Sequence, residues 1–332
     1  MSILIAGGAG YIGSHTVAEL LKTHPENEII TVDSLETGHR DSILGGKFYQ
    51  GNLRDSAFLE KVFSENNIEE VIDFAAYSLV GESMQVPLKY YENNIESVIS
   101  LLKTMIKFGT KRIVFSSTAA TYGEPENTPI LETDVCNPTN TYGATKLSVE
   151  SMLKWVGLAH GIEWTVMRYF NAAGAIESGE IGERHSPETH LIPLVLQVAN
   201  GTREKIMVFG NDYETPDGTC IRDYIHVTDL ADAHIKALSR MKSTGESKIY
   251  NLGNGKGFSV MEVIETCRKV TGHPIPAEIC ERRAGDPAIL VASSAKAAEE
   301  LNWHPKYPDL ESIVATAWNF HKQVVPTSIT YR

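Results

Sequence analysis

Tyr142 and Lys146, in the stretch "NTYGATK", stand four residues apart, so on a helix they share one face. A phenol with its ordinary pKa of about 10 is a poor base at neutral pH. An adjacent ammonium and a cationic nicotinamide ring both favour the phenolate and lower that value. Just upstream, "RIVFSSTAATYG" reads as a strand ending in the hydroxyls of Ser116, Ser117 and Thr118, where an open α/β sheet gathers its ligands. Together these residues suit oxidation of an alcohol: Thr118 holds a substrate hydroxyl, Tyr142 removes its proton, and a hydride leaves for an acceptor. Taken alone, a Tyr–Lys pair at this spacing is common surface decoration, and the hydroxyl-ended strand gives it chemical meaning.

A second constellation names the hydride carrier. "GGAGYIG", Gly7 to Gly13, follows the apolar run Ile3-Leu4-Ile5 and reads as G-x-G-x-x-G from Gly8 or G-x-x-G-x-x-G from Gly7. Either reading puts bare backbone and a helix N-terminus where a pyrophosphate can sit. Asp33 lies twenty residues beyond Gly13, after a second strand pattern. A carboxylate there accepts from both ribose hydroxyls and repels a 2′-phosphate, favouring NAD over NADP. The loop alone is also compatible with FAD.

These residues need a frame to bring them together. Short β-branched runs (3–6, 28–32, 70–74, 112–116 and 164–168) alternate with helical periodicity at 11–23, 56–66, 87–107 and 142–159. The alternation predicts an α/β fold with a doubly wound parallel sheet over residues 1–170. Beyond Asn171 the segments turn polar and rich in Gly and Pro, which predicts a smaller α/β substrate domain over 171–332. The segment 223–239 has a strand and helix that could rejoin the first sheet.

Composition narrows the class further. Forty-two per cent apolar residues in 332 suit a globular protein, and a formal charge of −12 with no Lys/Arg run argues against nucleic-acid or anionic-membrane partners. Cys136, Cys220, Cys267 and Cys280 have no C-x-x-C spacing, so neither a zinc site nor a disulfide framework is expected, and reduced thiols in a cytoplasm are.

The ordered motifs "GGAGYIGSH", "VIDFAAYSLVGES", "FSSTAATYGEP", "NTYGATK", "RYFNAAGA", "VFGNDYETPDGTCIRDYIHV" and "ERRAGDP" resemble the extended short-chain dehydrogenases/reductases, and within them the UDP-glucose 4-epimerase family, from Met1 to about Trp318. The resemblance implies an NAD that takes and returns a hydride at C4 of a UDP-hexose, with Tyr142 as acid/base, Lys146 on the nicotinamide ribose and Thr118 orienting the 4-hydroxyl. It implies an NAD site lined by Gly7, Gly10, Tyr11, Ile12, Asp33, Ser34, Asn52, Leu53, Phe74, Ala75, Ala76, Asn93 and Tyr169. For the substrate it implies Phe170 and Asn171 by the hexose and phosphates, Leu191 and Met207-Val208-Phe209 by the uracil, Arg222 and Arg283 on the diphosphate, and Asp286 on the uridine ribose. The other reading of Arg222 is a salt bridge with Asp223 or Asp229.

The chain departs from the family pattern at Asn52, Ser78 and His190, where aspartate, lysine and asparagine respectively are expected. Leu290 stands where side-chain bulk governs entry of an N-acetyl group. A related 4,6-dehydratase carries an acid/base pair after the threonine, and Ala119 and Ala120 cannot transfer protons. A non-catalytic sensor on the same scaffold commonly loses the tyrosine or lysine, and both are present. The resemblance also implies a homodimer. The stripe Val149, Met152, Leu153 and Val156 could supply half of a four-helix interface, or could equally face the sheet.

Overall fold

The first strand, β1 (Ser2–Ala6), is buried at every position because both faces of its sheet are covered. Ile3 and Ile5 turn to one side, into a cluster with Val17, Leu20, Leu230 and Leu238. Leu4 and Ala6 turn to the other, among Leu59, Leu101, Val149 and Leu153. The computed structural model describes residues 1–283 and 286–323.

In chain order the other strands are β2 (Glu28–Asp33), β3 (Lys47–Gln50), β4 (Ile68–Asp73), β5 (Arg112–Thr118), β6 (Glu163–Tyr169), β7 (Asn171–Ala173), β8 (Ile206–Phe209), β9 (Ile221–His226), β10 (Lys248–Leu252), β11 (Gly257–Ser259), β12 (Ala277–Cys280) and β13 (Ile289–Leu290). The helices are α1 (Tyr11–Thr23), α2 (Ser56–Glu65), α3 (Val80–Gln85), α4 (Pro87–Phe108), α5 (Thr141–His160), α6 (Leu191–Ala199), α7 (Val227–Thr244), α8 (Val260–Thr271), α9 (Ala295–Leu301) and α10 (Leu310–His321).

Seven strands make one parallel sheet in the order β10-β6-β5-β4-β1-β2-β3, with α1 and α7 on one face and α2, α4 and α5 on the other. The winding reverses between β1 and β4, and a doubly wound sheet opens its ligand crevice at the carboxyl ends of such a pair. Glycine is required there: Gly7 has φ +73°, and a Cβ on it would lie 2.8 Å from the Ala75 backbone nitrogen. A Cβ on Gly13 would lie within 2.2 Å of the Gly7 carbonyl, so the close seating of α1 against the loop depends on it.

After β6 the chain builds a four-stranded sheet from β7, β9, β11 and β13 and a β8–β12 pair, packed with α6, α8 and α10 around a third core. The segment 223–239 divides its loyalties. Strand β9 stays in the four-stranded sheet, whereas α7 crosses to pack on α1, β5 and β6. The strand that rejoins the large sheet is β10, which pairs with β6 and was not anticipated.

The stripe on α5 is also resolved: Val149 and Leu153 are fully buried in the core beneath α4 and α5, and Met152 and Val156 pack against it. Val149 and Leu153 serve the core, and Met152 and Val156 are partly buried at its edge. Among the described residues no helix is long and apolar enough to cross a membrane.

Candidate active site

The carboxyl ends of β5 and β6 lie side by side, with Thr118 opposite Tyr169 in register. Helix α5 starts just across from them, its N-cap Asn140 accepting from the Gly143 backbone N–H at 2.8 Å. Tyr142 therefore stands in the first helical turn and Lys146 one turn on, both facing the cavity that Thr118 also lines.

Lys146 is buried and donates to the Ser116 carbonyl at 2.7 Å, with the Phe115 ring 4.6 Å from its ammonium. Burial lowers its pKa to about 8, opposed by the carboxylates of Asp73 and Glu150. Asp73 is itself pushed up to about 6 by burial, and its Oδ2 has no hydrogen-bond partner among the described residues.

The phenol of Tyr142 faces the same cavity. Burial pushes it up to about 12, with only the Thr118 hydroxyl acting to lower it. The Lys146 ammonium stands one helical turn on, bonded to the Ser116 carbonyl and facing Asp73 and Glu150. Positive charge arriving with a ligand lowers such a phenol.

One cavity of about 820 Å³ runs from the glycine loop past these residues. Its dinucleotide end holds Gly7, Gly10, Tyr11, Ile12, Asp33, Ser34, Asn52, Leu53, Phe74, Ala75, Ala76 and Asn93. Tyr11 donates to the Gly174 carbonyl at 2.6 Å and so ties α1 to the chain beyond β7. The N-cap of α1, Gly10, offers no side-chain partner, so the first-turn N–H groups are free for an anion. The Asp33 carboxylate accepts from the backbone N–H of Ala9 at 2.9 Å and of Leu35 at 2.8 Å, which fixes it at the end of β2. The bare loop, the uncapped helix and the fixed carboxylate together fit an adenosine-bearing dinucleotide. Tyr169 and Ser116 share a short hydrogen bond beside Tyr142, and burial holds the Tyr169 phenol far above its ordinary range.

The far end holds Phe170, Asn171, Arg222, Asp286 and Leu290 and opens into a second hollow of about 310 Å³. Leu191, Met207, Phe209 and Arg283 line that hollow, and Arg283 stacks on Phe209 at 4.0 Å. Val208 does not: alternation along β8 turns it into the third core, 1% exposed, while its neighbours face the hollow. Arg222 pairs with Asp286. Neither of its two expected alternatives takes part. The Asp223 carboxylate is held by the backbone N–H groups of Asn254, Gly255 and Ala292, and that of Asp229 by those of Lys306 and Tyr307.

Two sets of residues escaped the sequence reading. Glu150 and Arg168 form a buried ion pair behind the site, joined by Ser117 and by Tyr122, whose hydroxyl bonds Asn251 of β10. Glu183, His185 and Glu188 gather with His190, the one of the four singled out from sequence, and Glu183, His185 and His190 line the cavity.

Residues 3–253 match the NAD dependent epimerase/dehydratase family. The chain belongs to this family. The epimerase/dehydratase match extends beyond the profile: a UDP-glucose 4-epimerase of Halalkalibacterium halodurans is 57% identical over 97% of this chain and 96% of its own. A crystal structure of UDP-glucose 4-epimerase, also 57% identical, superposes with a TM-score of 0.96 over 98% of both chains. The UDP-glucose 4-epimerase of Bifidobacterium longum, solved with NAD+ and UDP, is 40% identical, with a TM-score of 0.92 over 98% of this chain and 99% of that one.

Proposed function

We propose that this epimerase/dehydratase family member interconverts UDP-glucose and UDP-galactose by transient oxidation at C4. NAD, held along the glycine loop and Asp33, supplies a hydride acceptor that becomes the donor of the return step. Thr118 orients the 4-hydroxyl, and Tyr142 accepts its proton as the C4–H bond breaks and C4=O forms. The keto sugar turns over in the cavity, and Tyr142 gives the proton back to the oxygen when the opposite face is reduced. The balance is zero, with no net oxidation and no consumed co-substrate.

One observation carries the reading: a single cavity runs from the glycine loop, past Thr118 and Tyr142, to Arg222 and Asp286. Along it we assign Asn171, Arg222 and Arg283 to the diphosphate, Asp286 to the uridine ribose, and Leu191, Met207 and Phe209 to the uracil. Arginine suits this task because its donor fork matches phosphate oxygens. Dehydration is disfavoured because the turn after Thr118 presents only Ala119 and Ala120, which cannot protonate a leaving hydroxyl.

We read the functional unit as a cytoplasmic homodimer, with the exposed Leu88, Tyr91, Trp155 and Leu158 of the packed helices α4 and α5 as the contact face. Light scattering on the eluting protein tests it. For the reaction, the purified protein is given UDP-galactose and, separately, its N-acetylated counterpart with no cofactor added, and the anomeric and H4 signals are followed by NMR. Conversion of UDP-galactose is expected. Folded, NAD-loaded protein that converts neither sugar refutes the assignment.

A further inference from the structure

Between β7 and α6, eight residues carry four potential metal ligands: Glu183, His185, Glu188 and His190. No role in the proposed reaction draws on them as a group. One ligand atom from each lies within 4.8 Å of all the others. His190 Nδ1 is 2.8 Å from Glu183 Oε1 and 3.1 Å from Glu188 Oε1, and His185 Nδ1 is 3.3 Å from Glu183 Oε1 and 3.5 Å from Glu188 Oε2. A tetrahedral zinc ion with bonds of about 2.0–2.1 Å places its ligands roughly 3.3 Å apart, the middle of that spread.

Part of the proximity is imidazole–carboxylate hydrogen bonding, since His190 Nδ1 bonds Glu188 Oε1 at 3.1 Å, but His185 is not held in this way. His185 Nδ1 is buried and makes no hydrogen bond, although it sits close to two carboxylate oxygens. Glu183 is buried with 4% of its side chain exposed, and both imidazoles face it.

We propose that Glu183, His185, Glu188 and His190 bind one zinc-class divalent cation. Imidazole nitrogen with carboxylate oxygen is the donor set that borderline ions of this class favour over magnesium or calcium. Four protein ligands leave no open position, so the ion is structural. It pins the segment that delivers His190, the N-cap of α6, and thereby fixes the helix from which Leu191 enters the smaller hollow.

The test uses tag-free full-length protein, stripped with chelator, desalted and titrated with Zn2+ by calorimetry, with Co2+ as a spectroscopic probe. The expected result is one equivalent bound, with the intense visible bands of tetrahedral Co2+ and no thiolate charge transfer. His185→Asn and His190→Asn should each weaken zinc at least hundredfold while circular dichroism stays unchanged. If either variant fails to fold, the stripped native chain decides alone through its stoichiometry and Co2+ spectrum. No zinc uptake by that chain, preference for magnesium or calcium, a thiolate band, or equal affinity in folded variants would each overturn the proposal.

Discussion

Replacing Tyr142 with Phe removes one hydroxyl whose side-chain neighbour is Thr118. The ring, its burial and the α5 cap at Asn140 are untouched, so cofactor and nucleotide sugar should bind within about threefold of normal. Turnover should fall by about 10²–10⁴, the usual worth of a positioned acid/base. The structure also predicts how the group is tuned. With a pKa of about 12 in the protein alone, only about one molecule in 10⁴ carries a phenolate at pH 8. A unit positive charge about 5 Å away at an effective dielectric of about 20 contributes roughly 3 kcal/mol, or about two pKa units. The nicotinamide ring bears that charge when oxidised and lacks it when reduced. Ultraviolet difference titrations of native protein against the Phe variant should therefore place Tyr142 about two units lower with NAD+ than with NADH. Equal midpoints in the two redox states, or a turnover loss below tenfold, would refute the reasoning.

Asp33→Asn keeps an acceptor for the Ala9 N–H but removes the charge that repels a 2′-phosphate; NADP binding measured by fluorescence should tighten relative to NAD by at least tenfold. Glu150→Ala strands the buried Arg168 guanidinium without its carboxylate, and urea unfolding should show a loss of about 3–5 kcal/mol. His234 is buried between Phe74 and Tyr169, and desolvation lowers its pKa to about 4. The unfolded chain takes up that proton near its ordinary value of about 6.5, so stability is full above pH 6.5 and falls by about 3 kcal/mol as pH drops to 4. His234→Met should flatten the urea midpoint across that window, and an unchanged slope in the variant would assign the acid sensitivity elsewhere.

Most of the large sheet was readable because its signals are local. The periodicity from Tyr11 to Thr23 coincides with α1, and the strand–turn–helix order around Gly7 follows from residue chemistry alone. Strand β3, "KFYQ", gave no signal because it is a half-exposed edge strand whose alternation is too weak to register. Strand β10 was missed because its place beside β6 is set by contacts some eighty residues apart in sequence, which no local window contains. At the site the residue types were legible, but the charge environment was not. The Lys146–Asp73–Glu150 grouping depends on α5 meeting the end of β4, far away in sequence. Val208 is a different failure, since alternation along "IMVF" already separates it from Met207 and Phe209. The stretch "ERHSPETH" matched no helical or paired-cysteine spacing, and only the folded loop brings its nitrogens and oxygens together.

The late arrival of α7 and β10 shapes how the protein must come off the ribosome. Six of the seven strands of the sheet exist once Tyr169 has been made, yet Ile5, Ile72, Val114 and Met167 wait for Leu230, Leu238 and Met241 to cover them. At translation speeds of roughly 5–20 residues per second, that oily surface stays naked for roughly four to fourteen seconds. A nascent chain in that interval is a natural client for a chaperone, and a fragment cut after β6 should precipitate and not behave as a portable nucleotide-binding module.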